Sequence, residues 1–225
     1  MLERHVNKAR LALFDLDNTL LAGDSDHGWG EFMVAQGLVD GADYGAKNDA
    51  FYQDYLAGNL DMVAYAEFAL TPLTQYSATE LNSIHQKFMK TTVIPMIAPK
   101  TQALLKKHRD AGDVLVIVTA TNDFITAPIA EYLAIPHLIA TPTEFINGRY
   151  TGKLSGAPCF KEGKIDKLNA WMALNNYTIE GACFYSDSHN DIPLLALVDE
   201  PIVVDPDATL EAHALANGWP VLSLR

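Results

Sequence analysis

The chain has 225 residues, with 28 Asp+Glu against 16 Lys+Arg, a formal charge of −12 and 49% hydrophobic residues. That length suits one α/β domain with an insertion, and the apolar content is enough for a sizeable core. The acidic balance argues against a nucleic-acid or anionic-membrane surface, because phosphate backbones need clustered Lys and Arg.

The amino-terminal segment "MLERHVNKAR" has no apolar signal core, and no run of about 18 apolar residues exists to span a bilayer. These features predict a cytoplasmic protein. The first predicted strand is "RLALF", residues 10–14, a short apolar run consistent with a fully buried strand. It leads into "DLDNTLLAGDSD", which gathers Asp15, Asp17, Asp24 and Asp26 with no Lys or Arg among them. Such a cluster repels itself unless a cation or a proton settles it. A calcium loop is excluded, since its sixth position needs Gly and here it is Leu20.

From about residue 22 to 98 no comparable strand follows. The pattern predicts helices around "GWGEFMVAQGLV", "DYGAKNDAFYQDYLAG", "LDMVAYAEFALT" and "SATELNSIHQKFMKT". The last opens with Ser77 and Glu80 in capping-box spacing. Because the insert follows directly on the acidic loop, it is expected to form a lid over it. The helix "KTQALLKKHRDAG" then ends at Gly112, and its basic "KKHR" complements the helix dipole. Next come the strand "DVLVIVTA" (113–120), a hairpin signalled by Asn147-Gly148, and the strands "ACFYS" (182–186) and "PIVVD" (201–205). "WPVLSL" completes the set as a fifth strand. Cys159 and Cys183 lack metal-ligand spacing, and Cys183 reads as a buried free thiol.

Strands separated by helices predict a parallel sheet covered on both faces, where ligands collect at the carboxyl ends of the strands. Asp15, Thr119 and Asp187 all fall at or just after such ends, and Lys164 follows the hairpin in "FKEGKIDKL".

The order DLDNT, VIVTA, GK, DSHND resembles the four motifs of the haloacid dehalogenase superfamily, over roughly residues 10 to 205. The helical insert after the first motif is similar to the subfamily of the phosphoserine phosphatases. The resemblance implies a Rossmann-like core (1–22 and 98–225), a C1-type helical cap (23–97), Mg²⁺, and phosphoryl transfer through an aspartyl-phosphate. It assigns Asp15 as nucleophile and Asp17 as acid/base. Asp15 and Asp187 would hold the metal by their side chains, with Asp17 contributing its backbone carbonyl and Asp191 orienting a metal-bound water. Thr119, Ala120 and Lys164 would meet the transferring phosphoryl group. The expected partner is a small-molecule phosphate ester.

Asp24 stands where those phosphatases place an acid that meets an amino group. They also carry a lid arginine for the serine carboxylate, whereas no arginine lies between Arg10 and Arg109 here. Lys47 or Lys87 would be an imperfect substitute. The acidic lid therefore suits a cationic, carboxylate-free head group, with histidinol phosphate favoured over phosphoserine. His27, Trp29 and Asn190 are further candidates for substrate contact. Ser186 stands where the motif usually has Gly. The alternative outside enzymology is a receiver-type phospho-aspartate switch, which is about half this length and lacks a helical lid.

Overall fold

The structure, a computed structural model, describes residues 9–225, so most of the amino-terminal segment discussed above lies outside the described residues. Its centre is a six-stranded, all-parallel sheet in the order β3-β2-β1-β6-β7-β8. The strands are β1 (Leu11–Phe14), β2 (Val114–Asn122), β3 (His137–Thr141), β6 (Cys183–Ser186), β7 (Glu200–Val204) and β8 (Val221–Leu222). A separate antiparallel hairpin joins β4 (Thr143–Ile146) to β5 (Arg149–Leu154) around Asn147 and Gly148, both at positive φ. That is the turn the Asn-Gly pair favours.

β1 is central because every residue in it is apolar and buried. Strand alternation sends Ala12 and Phe14 to one face, with Ile117, Tyr185 and the helices α6 (Thr101–Ala111) and α7 (Asp123–Tyr132). Leu11 and Leu13 go to the other, with Val116, Val118 and Phe184. There they meet α8 (Glu162–Asn175), α9 (Ile192–Leu195) and α10 (Ala208–Asn217). Both faces are covered, which explains the unbroken apolar runs read from the central strands.

β3 is a strand that the sequence reading did not separate from the hairpin. It sits at the sheet edge, only partly buried, directly after Pro136. A β-bulge between Val118 and Asn122 shifts its register against β2.

Between β1 and β2 the chain is helical: α1 (Ser25–Ala35), α2 (Gly41–Leu56), α3 (Met62–Leu70), α4 (Ala78–Phe88) and the short α5 (Ile94–Met96). The Ser77–Glu80 capping box forms, with Ser77 Oγ accepting from Glu80 N and Glu80 Oε2 accepting from Ser77 N. The segments that leave and re-enter the sheet meet at the Leu21–Ile97 bridge and the Ala22 N to Met96 O hydrogen bond. Trp29 lies at the centre of the contact between insert and sheet, packed against Phe32, His85, Phe88 and Phe124. At 2% exposure it is a core residue and makes no wall of the cleft, contrary to the expectation that it contacts substrate. Cys159 and Cys183 are buried free thiols. Among the described residues no helix is long and apolar enough to cross a membrane.

Candidate active site

The carboxyl ends of β1 and β2 meet the insert in a cleft whose lining includes Asp15, Asp17, Thr119 and Thr121 beside Asp24 and Tyr65. Asp15 N still donates to Tyr185 O at 2.9 Å, so the nucleophile candidate sits on the last rung of the central ladder. The chain then doubles back. Asn18 takes φ +56°, a left-handed conformation that Asn tolerates better than most residues, and its N–H bonds Gly23 O at 2.9 Å.

Lys164, in the first turn of α8, is 3% exposed and joins two carboxylates. Its Nζ donates to Asp15 Oδ1 at 2.8 Å and to Asp191 Oδ2 at 2.7 Å. Burial alone would depress the ammonium pKa, but Asp15 and Asp191 outweigh it and raise it. Asp191 also accepts from Ser186 Oγ at 2.7 Å. The Ser-for-Gly departure thus supplies a second donor to Asp191, and Ser186 Oγ accepts from Ser188 N as well. Asp187 accepts from Thr19 Oγ1 at 2.9 Å, and its own N–H returns a bond to that hydroxyl at 3.1 Å.

Asp17 is held from two sides. Oδ1 accepts from Ser25 N, at the start of α1, at 2.6 Å, and Oδ2 accepts from Thr121 Oγ1 at 2.8 Å. Thr121 was not among the sequence candidates, because "VLVIVTA" reads as a strand ending at 120 whereas β2 runs to Asn122.

Asp24 caps α1, its Oδ1 accepting from Asp26 N at 2.9 Å and His27 N at 2.8 Å, while the side chain lines the cleft. Asp26 lines it too, with the Tyr65 hydroxyl and Asn122 Nδ2 as neighbours. His27 reaches the cleft edge-held: Nε2 lies 2.8 Å from Asp49 Oδ1 and the ring stacks on Tyr52 at 4.5 Å. Asn190 is placed differently. It is buried, its amide donates to Ser188 Oγ, and its Oδ1 faces Gly58 of the insert rather than the cleft. Lys47 and Lys87 line no part of the cleft.

The electrostatics follow from burial. Asp15 is pushed up to about 7 by burial, against the pull of Lys164, and Asp17 is pushed up to about 7 by burial and then by Asp24. Burial also raises Asp24, Asp26 and Asp187. Among the described residues Lys164 is the single cation bonded to this group of carboxylates. The site is therefore short of positive charge in a way that only an incoming cation or protons correct.

An α/β sheet with a buried carboxylate at the end of β1, a hydroxyl at β2, a buried lysine and a second acidic loop at β6 is the arrangement of a phosphoryl-transfer hydrolase. Comparison with known proteins agrees: the chain belongs to the haloacid dehalogenase-like hydrolase family, whose profile matches residues 12–196. It is 46% identical over 219 residues to a histidinol-phosphatase of Neisseria meningitidis, covering 96% of this chain and 99% of that one. A Bordetella pertussis protein of unknown function superposes with a TM-score of 0.89 at 41% identity, covering 97% and 100% of the two chains. A substrate-bound phosphoserine phosphatase shares the fold at a TM-score of 0.68 and 16% identity, covering 92% and 90%. The chain is a phosphatase of this family.

Proposed function

We propose that the protein hydrolyses a small, amine-bearing phosphomonoester through an aspartyl-phosphate, with Mg²⁺ as cofactor and histidinol phosphate as the favoured substrate. Residues 23–97 serve as the cap over the core formed by 1–22 and 98–225. The observation that carries the substrate reading is the make-up of the cleft. Its lining includes four aspartates and three tyrosines, and neither lysine nor arginine. A substrate whose far end bore a carboxylate would meet repulsion there, whereas an ammonium or imidazolium meets Asp24 and aromatic faces. The similarity to a histidinol-phosphatase over nearly the full length of both chains supports the same reading.

The donor set fits a hard dication. The ligands proposed for it are all oxygens, and the carboxylates of the site outnumber the one lysine bonded to them. Among the described residues no three His, Cys, Asp or Glu side chains converge as ligands. That accords with two carboxylates, from Asp15 and Asp187, a backbone carbonyl from Asp17, and water, the partly hydrated coordination Mg²⁺ prefers. When bound, Mg²⁺ offsets the charge of the phosphoryl oxygens and of Asp15.

The residues divide the remaining work. An Asp15 carboxylate oxygen attacks phosphorus, the ester P–O bond breaks, and its electron pair leaves on the alcohol oxygen, which takes the proton of Asp17. Asp17 then removes a proton from the water that attacks the acyl-phosphate, releasing inorganic phosphate and restoring both acids. Thr119, the Ala120 backbone and Lys164 meet charge on the transferring group. Asp191 holds Lys164 in place.

The test is phosphate release from histidinol phosphate, phosphoserine and an aryl phosphate, with Mg²⁺ and then with EDTA. Metal-dependent multiple turnover favouring histidinol phosphate is expected. Preference for phosphoserine would overturn the acidic-cleft argument. A single retained equivalent of acyl-phosphate, with no turnover, would favour the phospho-aspartate switch.

A further inference from the structure

Asp17 needs one orientation in two steps of opposite sense, first giving a proton to the leaving oxygen and then accepting one from water. A carboxylate at the end of a short side chain turns freely about its last torsion unless both oxygens are held. Here both are. Ser25 N holds Oδ1 at 2.6 Å from the insert, and Thr121 Oγ1 holds Oδ2 at 2.8 Å from the sheet. The residues making these bonds are all buried, with Asp17 at 8%, Thr121 at 6% and Ser25 at 0% exposure, so water competes little for either bond.

Thr121 makes a second contact. Its backbone N–H donates to Thr119 Oγ1 at 3.2 Å. With that lone pair occupied, the Thr119 hydroxyl proton is free to point at a phosphoryl oxygen. The period of the strand explains the arrangement, since residues 119 and 121 leave β2 on the same side, and both line the cleft. One residue thus orients a proton-transfer group by its side chain and a phosphoryl contact by its backbone.

Resting on the hydrolase reading above, we propose that Thr121 is a positioning residue whose hydroxyl keeps Asp17 aimed at the leaving-group oxygen. The Thr121 hydroxyl can donate to one carboxyl oxygen whether or not the acid carries its proton, so that proton stays available to the leaving-group oxygen and the acid need not be repositioned between the two chemical steps.

The inference separates from a merely structural role by its dependence on the leaving group. An alkyl alkoxide needs a proton as it departs, whereas an aryl oxide leaves without one. Since kcat/KM reports the steps up to the first irreversible bond cleavage, it isolates the protonation half of Asp17's work. Positioned proton transfer is worth about 10²- to 10⁴-fold. Loosening one of its two holds should forfeit about tenfold or more of that.

The experiment compares the full-length wild type, Thr121→Val, Thr121→Ala and Thr121→Ser, using histidinol phosphate as the alkyl ester and p-nitrophenyl phosphate as the aryl ester. Circular dichroism and thermal melting establish that each variant is folded. Val and Ala should each lower kcat/KM for the alkyl ester about tenfold or more and for the aryl ester less than about threefold. Ser, which keeps the hydroxyl, should restore the wild-type ratio, and having Ala beside Val keeps the test decisive if the branched side chain disturbs the fold. Equal losses on both esters in a folded variant, or a Ser variant no better than Ala, would overturn the positioning role and leave the hydrolase reading intact. A wild type that turns over neither ester would instead remove the hydrolase reading itself.

Discussion

Replacing Lys164 with Met keeps most of the side-chain volume and removes the only cation bonded to Asp15 and Asp191 among the described residues. The three side chains are 4%, 7% and 2% exposed, and both bonds are short, at 2.8 and 2.7 Å. Deleting one member of a buried ion pair costs about 3–5 kcal/mol, since the remaining charge is left without compensation. In a chain of this length that corresponds to a fall in Tm of roughly 6–20 °C. The loss should depend on pH with a definite sign. Burial already raises Asp15 to about 7, and removing the lysine raises it further. A carboxyl whose folded pKa lies above its unfolded value near 4 favours the folded state at low pH, and that benefit disappears as pH rises through the folded pKa. The penalty of K164M should therefore be largest near pH 8 and shrink toward pH 5.5, where the orphaned Asp15 carboxyl takes up a proton. The assay is denaturant or thermal unfolding in EDTA at both pH values. A Tm within about 2 °C of wild type at pH 8 would refute the reasoning, since it lies well below the fall worked out above. So would a greater loss at pH 5.5 than at pH 8.

Two further outcomes are expected. Asp24→Asn keeps an N-cap side chain nearly as good as Asp, so stability should change by less than about 0.5 kcal/mol. Removing its charge should raise KM for an amine-bearing ester about tenfold or more, the worth of a charge-assisted hydrogen bond, and for an aryl phosphate less than about threefold. Parallel changes on both esters would mean that Asp24 acts only as a cap. His85, 4% exposed and stacked near Trp29 and Phe124, places Nε2 3.2 Å from Ile125 O, and burial holds its pKa below the usual histidine value. Below about pH 6.5 the unfolded chain takes a proton that the folded ring resists, so this term removes stability as pH falls. His85→Phe should lose less stability than wild type between pH 7 and pH 5, by up to about 1.4 kcal/mol per pH unit. Identical slopes by urea titration would contradict that assignment.

Most of the sheet was legible because the central strands are buried on both faces and so carry unbroken apolar runs. Leu11 to Phe14 and the segment from Leu115 to Val118 are the clearest cases. Local chemistry marked the boundaries equally well. Gly112 ends α6 at φ +78°, and Ser77 with Glu80 opens α4. β3 was hidden because an edge strand is only half buried, and the apolar signal in "IPHLIATP" is interrupted by Pro136 and His137. α1 begins at Ser25, before the apolar run from which its pattern was read, because Asp24 supplies the cap. That earlier start brings Asp26 into the cleft wall.

The site divides along the same line. Asp15, Asp17, Thr119, Lys164 and Asp187 announced themselves by their order after strands and hairpin. Thr121 did not, because threonine is an ordinary strand former and nothing in "VTATN" distinguishes one that packs from one that bonds across the sheet. Its partner Asp17 is 104 residues away in sequence. What joins them is the parallel pairing of β1 with β2, in register from Leu11–Val114 to Phe14–Ile117, with β2 running on past the end of β1 to Asn122. Asp17 then lies beyond Phe14 and Thr121 beyond Ile117, within hydrogen-bond reach of each other. Groups that act on bonds in a substrate can be recognised by residue type and order. Groups that act by aiming other residues depend on strand register and loop geometry, and these become visible only once the sheet is assembled.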